Sequence, residues 1–532
     1  MANTEDALIK FGFETKNGLN SLRGGWFLLA IICFSARAFA QGEAALPSDL
    51  PPLPSPGDQS EQLYVTKNNV SLFHEVLIAP LAVGIKEGHL AIPVVSKLQF
   101  RWQLSAAWDA ATLANIGEFG LDEQNNLISL QGRAPTAGLP FGDARLINQE
   151  SDPVRKAYKI LWNLSFAELP EHDILYGVNL YWVGTQSYLR KSTGLFYRRM
   201  LPPPTGETSE KPIFRQDVLQ LVSPPVVFGF AELSWRFFGL DPDKVWIYSP
   251  VIERSREIFE ANRGDPILDG ALTFDDLFVW SGKVQSMNAK VVADKTLLVP
   301  FPLTQTVSLA QEEIEQKPIQ RVFPGPDEHG AGLIEQQGET HREKVLSVSG
   351  LFGGIESKMA TMLWNFESKR FPTYAPWIPT EAKFVPRPVW IIELSPRNPF
   401  YLSGRQVLVV DQELMLPVYK VVYNRRGGYD RLVMGGWALA MTEDKKIRLP
   451  FSAFTIAVEQ GFRPAVAVSH SYVNTFRGEE GTKIGGEVRK LLDIASHGRG
   501  VDAEKQSADE SGAPVQDGAE ESDGDTGASP AD

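Results

Sequence analysis

Asp275 and Asp276 stand side by side, with Asp265 and Asp269 just before them. Neighbouring carboxylates can hold a cation or share acid–base work, although this spacing is not that of an EF-hand loop. The same residues also suit turn formation: Thr273 followed three positions later by Asp276 is an acidic variant of the helix-start capping box. Arg254 and Arg256 alternate after Trp246-Ile-Tyr248-Ser-Pro250. On a strand they share one face, where they can pair with Asp275 and Asp276 or meet an anionic head group. Tyr197-Arg198-Arg199-Met200 is a small basic cluster ahead of a triple proline. It suits a partner or lipid contact, or simply a solvated strand end. The seven histidines show no HExxH or H-x3–5-H spacing, so the usual zinc signature is missing. There is no G-x-S-x-G nucleophile turn. Gly478-Glu-Glu-Gly-Thr-Lys has the wrong spacing for a phosphate loop, and Leu351-Phe-Gly-Gly-Ile-Glu is a glycine turn, not a dinucleotide fingerprint. No catalytic residue, metal or cofactor is assigned.

The elements that must position these groups read mainly as strands. Arg387-Pro-Val-Trp-Ile-Ile-Glu-Leu, Gln406-Val-Leu-Val-Val-Asp and Val418-Tyr-Lys-Val-Val-Tyr are β-branched runs separated by short turns, which predicts an antiparallel meander. In the first run Val389, Ile391 and Glu393 share one face, and Trp390, Ile392 and Leu394 the other. Val245–Tyr248 and Ala289–Pro300 are further strands. Helices are expected over Asp152–Phe166, where Asp-Pro opens the run, from Thr273 onward, and over Gly485–Ala495.

Composition bounds the class. The chain has 532 residues, 43% of them hydrophobic, so it can bury a large core. Its 37 prolines and 45 glycines suit many short elements joined by turns. A net charge of −13 gives no electrostatic reason to expect nucleic-acid binding. Lys10, Lys16 and Arg23 precede an apolar run from Trp26 to Phe34, then Ala38-Phe39-Ala40. This has the layout of a secretory signal cleaved near Ala40; the alternative is an uncleaved membrane anchor. Cys33 is the one cysteine and lies inside that segment, so the mature chain can form no disulfide. Ile32 before it is unlike the small residue of a lipid-attachment site. The expected organisation is a signal peptide at 1–40 and a proline-rich linker at 41–60. An N-terminal α+β region follows at 61–210 and a β half-barrel at 211–450. A C-terminal extension at 451–497 and a disordered acidic tail at 498–532 complete the chain.

Several of these segments occur together in one order. Gly138-Leu-Pro-Phe141 leads to Asp152-Pro and Lys159-Ile-Leu-Trp162-Asn163, then to Ser223-Pro224-Pro with Gly229 and Leu233. Val245-Trp246-Ile-Tyr248-Ser-Pro250 with Arg254 and Arg256 comes next, followed by Asp265-Pro and Thr273-Phe-Asp275-Asp276 with Gly282. Val299-Pro300-Phe301 and Arg387-Pro-Val389-Trp390-Ile-Ile-Glu393 lead through Asp411 to Tyr423, Gly427 and Tyr429-Asp430. Over residues 100–440 the chain resembles a bacterial domain-of-unknown-function family labelled outer-membrane lipoprotein-sorting protein, similar to the periplasmic carriers LolA and LolB. Glu253 and Ser255 interrupt the denser arginine run usual in that family.

The resemblance implies a β-rich α+β fold, an open antiparallel half-barrel with packed helices and an apolar interior. It also implies a periplasmic, non-enzymatic carrier for a lipid or lipidated molecule, with an RND-type inner-membrane exporter or an outer-membrane protein as partner. Trp246, Tyr248, Phe274, Trp390 and Tyr423 would line the cavity, with Arg254 and Arg256 beside it. Asp275, Asp276, Glu393 and Asp430 would be structural. The alternatives are an envelope hydrolase using Asp275, Asp276 and Glu393, and a docking subunit of an export complex.

Overall fold

A computed structural model describes residues 50–55, 63–98, 102–131, 137–167, 173–184, 188–200, 213–249, 254–302, 306–308, 364–367, 375–379, 382–441, 448–459 and 464–476. The expected signal at 1–40, the acidic tail and the predicted Gly485–Ala495 helix lie outside these residues, as does the triple proline that follows the basic cluster.

Short strands open the described chain: β1 (Leu63–Val65), β2 (Ile92–Val94), β3 (Phe119–Leu121) and β4 (Leu127–Ser129). Long ones follow: β5 (Asp173–Val183), β6 (Tyr188–Met200), β7 (Ile213–Ser223), β8 (Ala231–Phe237), β9 (Lys244–Ser249) and β10 (Arg254–Ile258). Then come β11 (Met287–Phe301) and β12 (Thr306–Ser308). The last six are β13 (Lys383–Pro396), β14 (Ser403–Asp411), β15 (Leu416–Asn424), β16 (Tyr429–Met441), β17 (Arg448–Glu459) and β18 (Ala465–Phe476). The helices are α1 (Ala79–Lys86), α2 (Ala106–Asn115), α3 (Ala144–Ile147) and α4 (Pro153–Ala167).

One large, unclosed sheet dominates. Its order runs β13-β14-β15-β16-β17-β18-β5-β6-β7-β8-β9-β10, with β11 along the other flank of β13. These neighbours are all antiparallel; β12 adds a short parallel pairing to β16. The strand-rich α+β fold read from the sequence is the one observed, and the predicted meander is β13, β14 and β15. The sheet runs through the boundaries expected at 210 and 450, because β5 and β6 on one side and β17 and β18 on the other are its central members.

α4 forms where Asp-Pro predicted it. The Asp152 carboxylate accepts from the Val154 N–H at 2.9 Å, tying down a free N–H of the first turn. Its apolar side, with Ile160, Leu161 and Phe166, is buried, and Tyr158 donates to the Met287 carbonyl of β11 at 2.8 Å. The helix expected from Thr273 is a single turn, Phe274–Asp276. Phe278 and Val279 follow with φ of 56° and 72°, left-handed values that end a right-handed helix at once.

Gly194 in β6 faces the backbone of β7 so closely that any Cβ would overlap the Gln220 carbonyl oxygen. Gly194→Ala is expected to destabilise the protein by about 1–3 kcal/mol through this overpacking. Urea unfolding of the variant measures it; an unchanged midpoint would contradict the packing described.

Candidate functional site

β10 and β11 are consecutive in sequence but sit at opposite ends of the open sheet. Residues 259–286, which join them, must therefore cross one face. This strap starts near Tyr401, whose ring a Cβ at Gly264 would meet at 2.9 Å. The Ala271 N–H donates to the Pro464 carbonyl at 3.0 Å, just ahead of β18. Phe278 stacks on His470 of β18 at 5.4 Å and meets Phe196 of β6 edge-on at 5.0 Å. Val279 lies on Gly435 of β16. Near its end, the strap's Ser281 and Gly282 carbonyls accept from Arg236 of β8 at 2.8 and 3.1 Å.

Charge holds the middle of the strap. Asp276 receives Lys420 of β15 at 2.6 Å and Arg431 of β16 at 2.9 Å, and all three are buried. Lys420 also donates to the Asp275 carbonyl at 2.7 Å. The Asp275 carboxylate accepts from Arg263 at 2.8 Å and from the Tyr401 hydroxyl at 2.5 Å. Arg263 reaches on to Glu232 of β8 at 3.0 Å. Burial alone would raise the Asp276 carboxyl, but Arg431 and Lys420 outweigh it and hold it at about 2. Burial, assisted by Asp217 and Asp275, pushes Glu232 up to about 7 despite Arg263. Burial lowers His470 to about 4, keeping the ring that stacks on Phe278 neutral.

The structure divides the residues expected to form one lining. Strand partners share a face, and the register assigns each residue to a side. Glu232, which touches the strap through Arg263, pairs with Ile247. Trp246 and Tyr248 therefore point to the opposite face, where Trp246 packs against Trp235 at 5.1 Å. Tyr423 stacks under Arg405 at 4.7 Å, and Arg405 holds Glu393 at 3.1 Å, a group also away from the strap. Glu393 is bound by Lys290 as well, at 3.0 Å. Phe274 is on the strap and Trp390 is on the strap face of β13, fully buried and donating to Asn148 at 2.9 Å. The expected hydrolase set of Asp275, Asp276 and Glu393 is thus split between two faces.

The expected ion partners change too. Arg256 pairs with Ile247 in register on the short edge strand and is exposed, and Arg254 opens that strand. The cations on Asp275 and Asp276 are instead Arg263, Lys420 and Arg431; Asp430 joins through Arg431 at 2.6 Å. Arg198, read as part of a solvated strand end, is buried and grips Asp217 at 2.8 and 3.1 Å. A signal for Lys420 was present in the sequence: Val418, Lys420 and Val422 alternate on one side of a strand whose apolar members are core. Among the described residues, no group of three or more His, Cys, Asp or Glu side chains is placed to hold a metal ion.

The open, oily hollow expected inside the sheet is also corrected. Strap residues Phe274, Leu277, Phe278, Val279 and Trp280 are themselves buried against the sheet. Among the described residues, two cavities beside the strap are each about 20 Å³ and each lined by arginines. A small-molecule pocket takes about 300–1,000 Å³; neither of these two is of that size, and the strap's own apolar side chains cover the sheet face where a ligand would lie.

Residues 64–325 match a family model described as a protein of unknown function, DUF1329. The resemblance read from the ordered motifs is borne out, and the match begins earlier and ends earlier than those motifs. Among solved structures, the chain is similar to a Vibrio parahaemolyticus protein described as an outer membrane lipoprotein-sorting protein domain. Identity is 11%, covering 63% of this chain and 98% of that one, with a TM-score of 0.38. A DUF1329 protein from Desulfovibrio piger shows 11% identity over 63% and 98%, TM-score 0.37. A LolA superfamily protein from Nitrosomonas europaea shows 9% over 60% and 94%, TM-score 0.32. No curated protein matches.

The depressed Asp276 carboxyl sets a pH dependence. Its stabilisation is complete above its unfolded value near 4 and is lost as pH falls through about 2. Asp276→Asn leaves Lys420 buried without its anion and Arg431 with Asp430 alone, an expected cost of about 3–5 kcal/mol at pH 7. Denaturant titrations should show that gap narrowing between pH 4 and pH 2. A gap that stays constant over this range would mean that the carboxylate charge is not what pins the strap.

Proposed function

We propose that this protein is a non-enzymatic periplasmic carrier for a lipid or lipidated molecule, and that the strap 259–286 occupies the acyl site until a ligand displaces it. The observation that carries the reading is strain. Six non-glycine residues among those described have positive φ, and four of them, Leu268, Asp269, Phe278 and Val279, lie in the strap. For a β-branched residue such as Val279 this is a costly conformation, about 1–3 kcal/mol. Strain of this kind collects at switches and ligand clamps. Here it sits beside apolar side chains that cover the surface an acyl chain would cover. Each methylene moved from water into such a cleft gains about 0.8 kcal/mol, so a long chain can offset the strap contacts it replaces. The partner implied by the family resemblance, an RND-type inner-membrane exporter, would load or unload such a cleft.

The geometry supplies a lock. An ideal Cβ at Gly435 lies 3.8 Å from the Val279 Cβ, within the usual span of a disulfide. Val279→Cys with Gly435→Cys, in a Cys33→Ser background, should bind dansyl-undecanoic acid when reduced and lose at least tenfold in affinity when oxidised. Equal binding by both forms would remove the strap from the mechanism. Failure of the wild-type chain to bind the probe, together with no co-purifying lipid by mass spectrometry, would end the carrier reading.

A further inference from the structure

Beyond the acyl cleft, the second cavity beside the strap has its own chemistry. Arg198, Arg215, Arg236, Trp280 and Ser281 line it, with Leu164 of α4 and Pro417 of β15 as apolar wall. The polar groups among these are chiefly donors. Arg236 spends its guanidinium on Asp243 at 2.8 Å and on two strap carbonyls. Arg215 donates to the Ser281 hydroxyl at 3.2 Å, which frees that hydroxyl's own hydrogen to point elsewhere. Its Nε lies 3.0 Å from Asp217 but out of line for a hydrogen bond. The Arg215 Nε and the Trp280 Nε1 are both buried donors with no acceptor among the described residues. Each of these side chains is only 6% exposed. A buried donor left so costs about 1–3 kcal/mol, and two of them belong to side chains lining one small space. Burial and the neighbouring Arg198 outweigh Asp217 and push the Arg215 guanidinium well below its ordinary value, since the one Asp217 carboxylate serves both arginines.

We infer that this cavity is an oxyanion site, taking the phosphate or carboxylate oxygens of a ligand between Arg215, Trp280 and Ser281. Its volume of about 20 Å³ admits oxygen atoms rather than a whole molecule. The ligand enters head first, and the Leu164 and Pro417 wall is compatible with an alkyl substituent. The site is complete with the strap in place, so it does not depend on the acyl cleft opening.

Thermal unfolding of the mature chain tests this, in sodium phosphate against sodium chloride of equal ionic strength and with dodecyl phosphate below its micelle concentration. The wild type should gain several degrees in Tm, and Arg215→Met should gain none. Without ligand, Arg215→Met should be at least as stable as the wild type, because an apolar chain of similar length replaces an under-satisfied buried cation. A purely structural arginine would give the reverse. Stabilisation by both phosphates means that the oxyanion suffices; by dodecyl phosphate alone, an amphiphile head group; by inorganic phosphate alone, a free ion. Should Arg215→Met fail to fold, calorimetric titration of inorganic phosphate and dodecyl phosphate into Arg215→Lys replaces it. Affinity for whichever of them stabilises the wild type is then expected to be at least tenfold weaker. No stabilisation of the wild type by either compound, or an equal gain in the variant, overturns the site. The oxidised Val279→Cys, Gly435→Cys protein should still respond to whichever phosphate the wild type binds, which separates this result from the fate of the carrier reading.

Discussion

A sheet that does not close on itself, with sequence-adjacent strands at its two ends, forces the chain between them across a face. Everything at the centre of this protein follows from that crossing. A connector buried over such a length carries backbone and side-chain polar groups out of water, and each needs a partner. The sheet supplies them from strands far apart in sequence: Glu232 on β8, Lys420 on β15 and Arg431 on β16. Buried ion pairs repay their desolvation poorly, so their contribution is better read as position than as stability. Apolar contacts alone would tolerate a shifted strap. A shift by one residue would take Asp276 off Lys420 and Arg431, leaving Asp276 and Lys420 unmatched and Arg431 with Asp430 alone.

The strap is therefore held precisely and yet strained. Phe278 and Val279 keep their left-handed backbone because both flanks are fixed, by Asp275 and Asp276 before them and by the Arg236 contacts to Ser281 and Gly282 after them. The aromatic stack of Phe278 on a neutral His470 adds a contact that a protonated ring could make only after shedding its water. Strain of this kind persists only while the anchors on both sides hold.

The sequence was most informative where local pattern and burial agree. β13 to β15 are β-branched runs with turn residues between them, and α4 begins at an Asp-Pro that places proline at a favourable first helical position. The ordered motifs carried the family resemblance because each is a local string. The site was legible only in part. The sequence marks Asp275, Asp276 and Asp430 as structural but offers Arg254 and Arg256 as partners of the first two, because Lys420 and Arg431 reach them only through a sheet order that places β15 and β16 under the strap. Trp246 and Tyr248 were assigned to the same lining as Trp390 because aromatic residues in strands look alike until the register says which way each faces. The fullness of the cleft was invisible for a similar reason: apolar strap residues read equally well as a wall or as the material that fills it.

A filled cleft changes what ligand affinity means. If binding requires the strap to leave, the observed affinity is the intrinsic one reduced by the fraction of molecules already open. Opening exposes Phe274, Phe278 and Trp280 and separates Asp276 from two cations, so that fraction is small. A purely apolar ligand would replace the aromatic contacts and do nothing for Lys420 and Arg431. A ligand with an anionic head could supply both kinds of contact, the tail to the sheet and the oxygens to the cations the strap abandons. On the carrier reading, the surface beneath the strap would favour amphiphiles over plain hydrocarbons, because the same charges that fix the closed state must be satisfied in an open one.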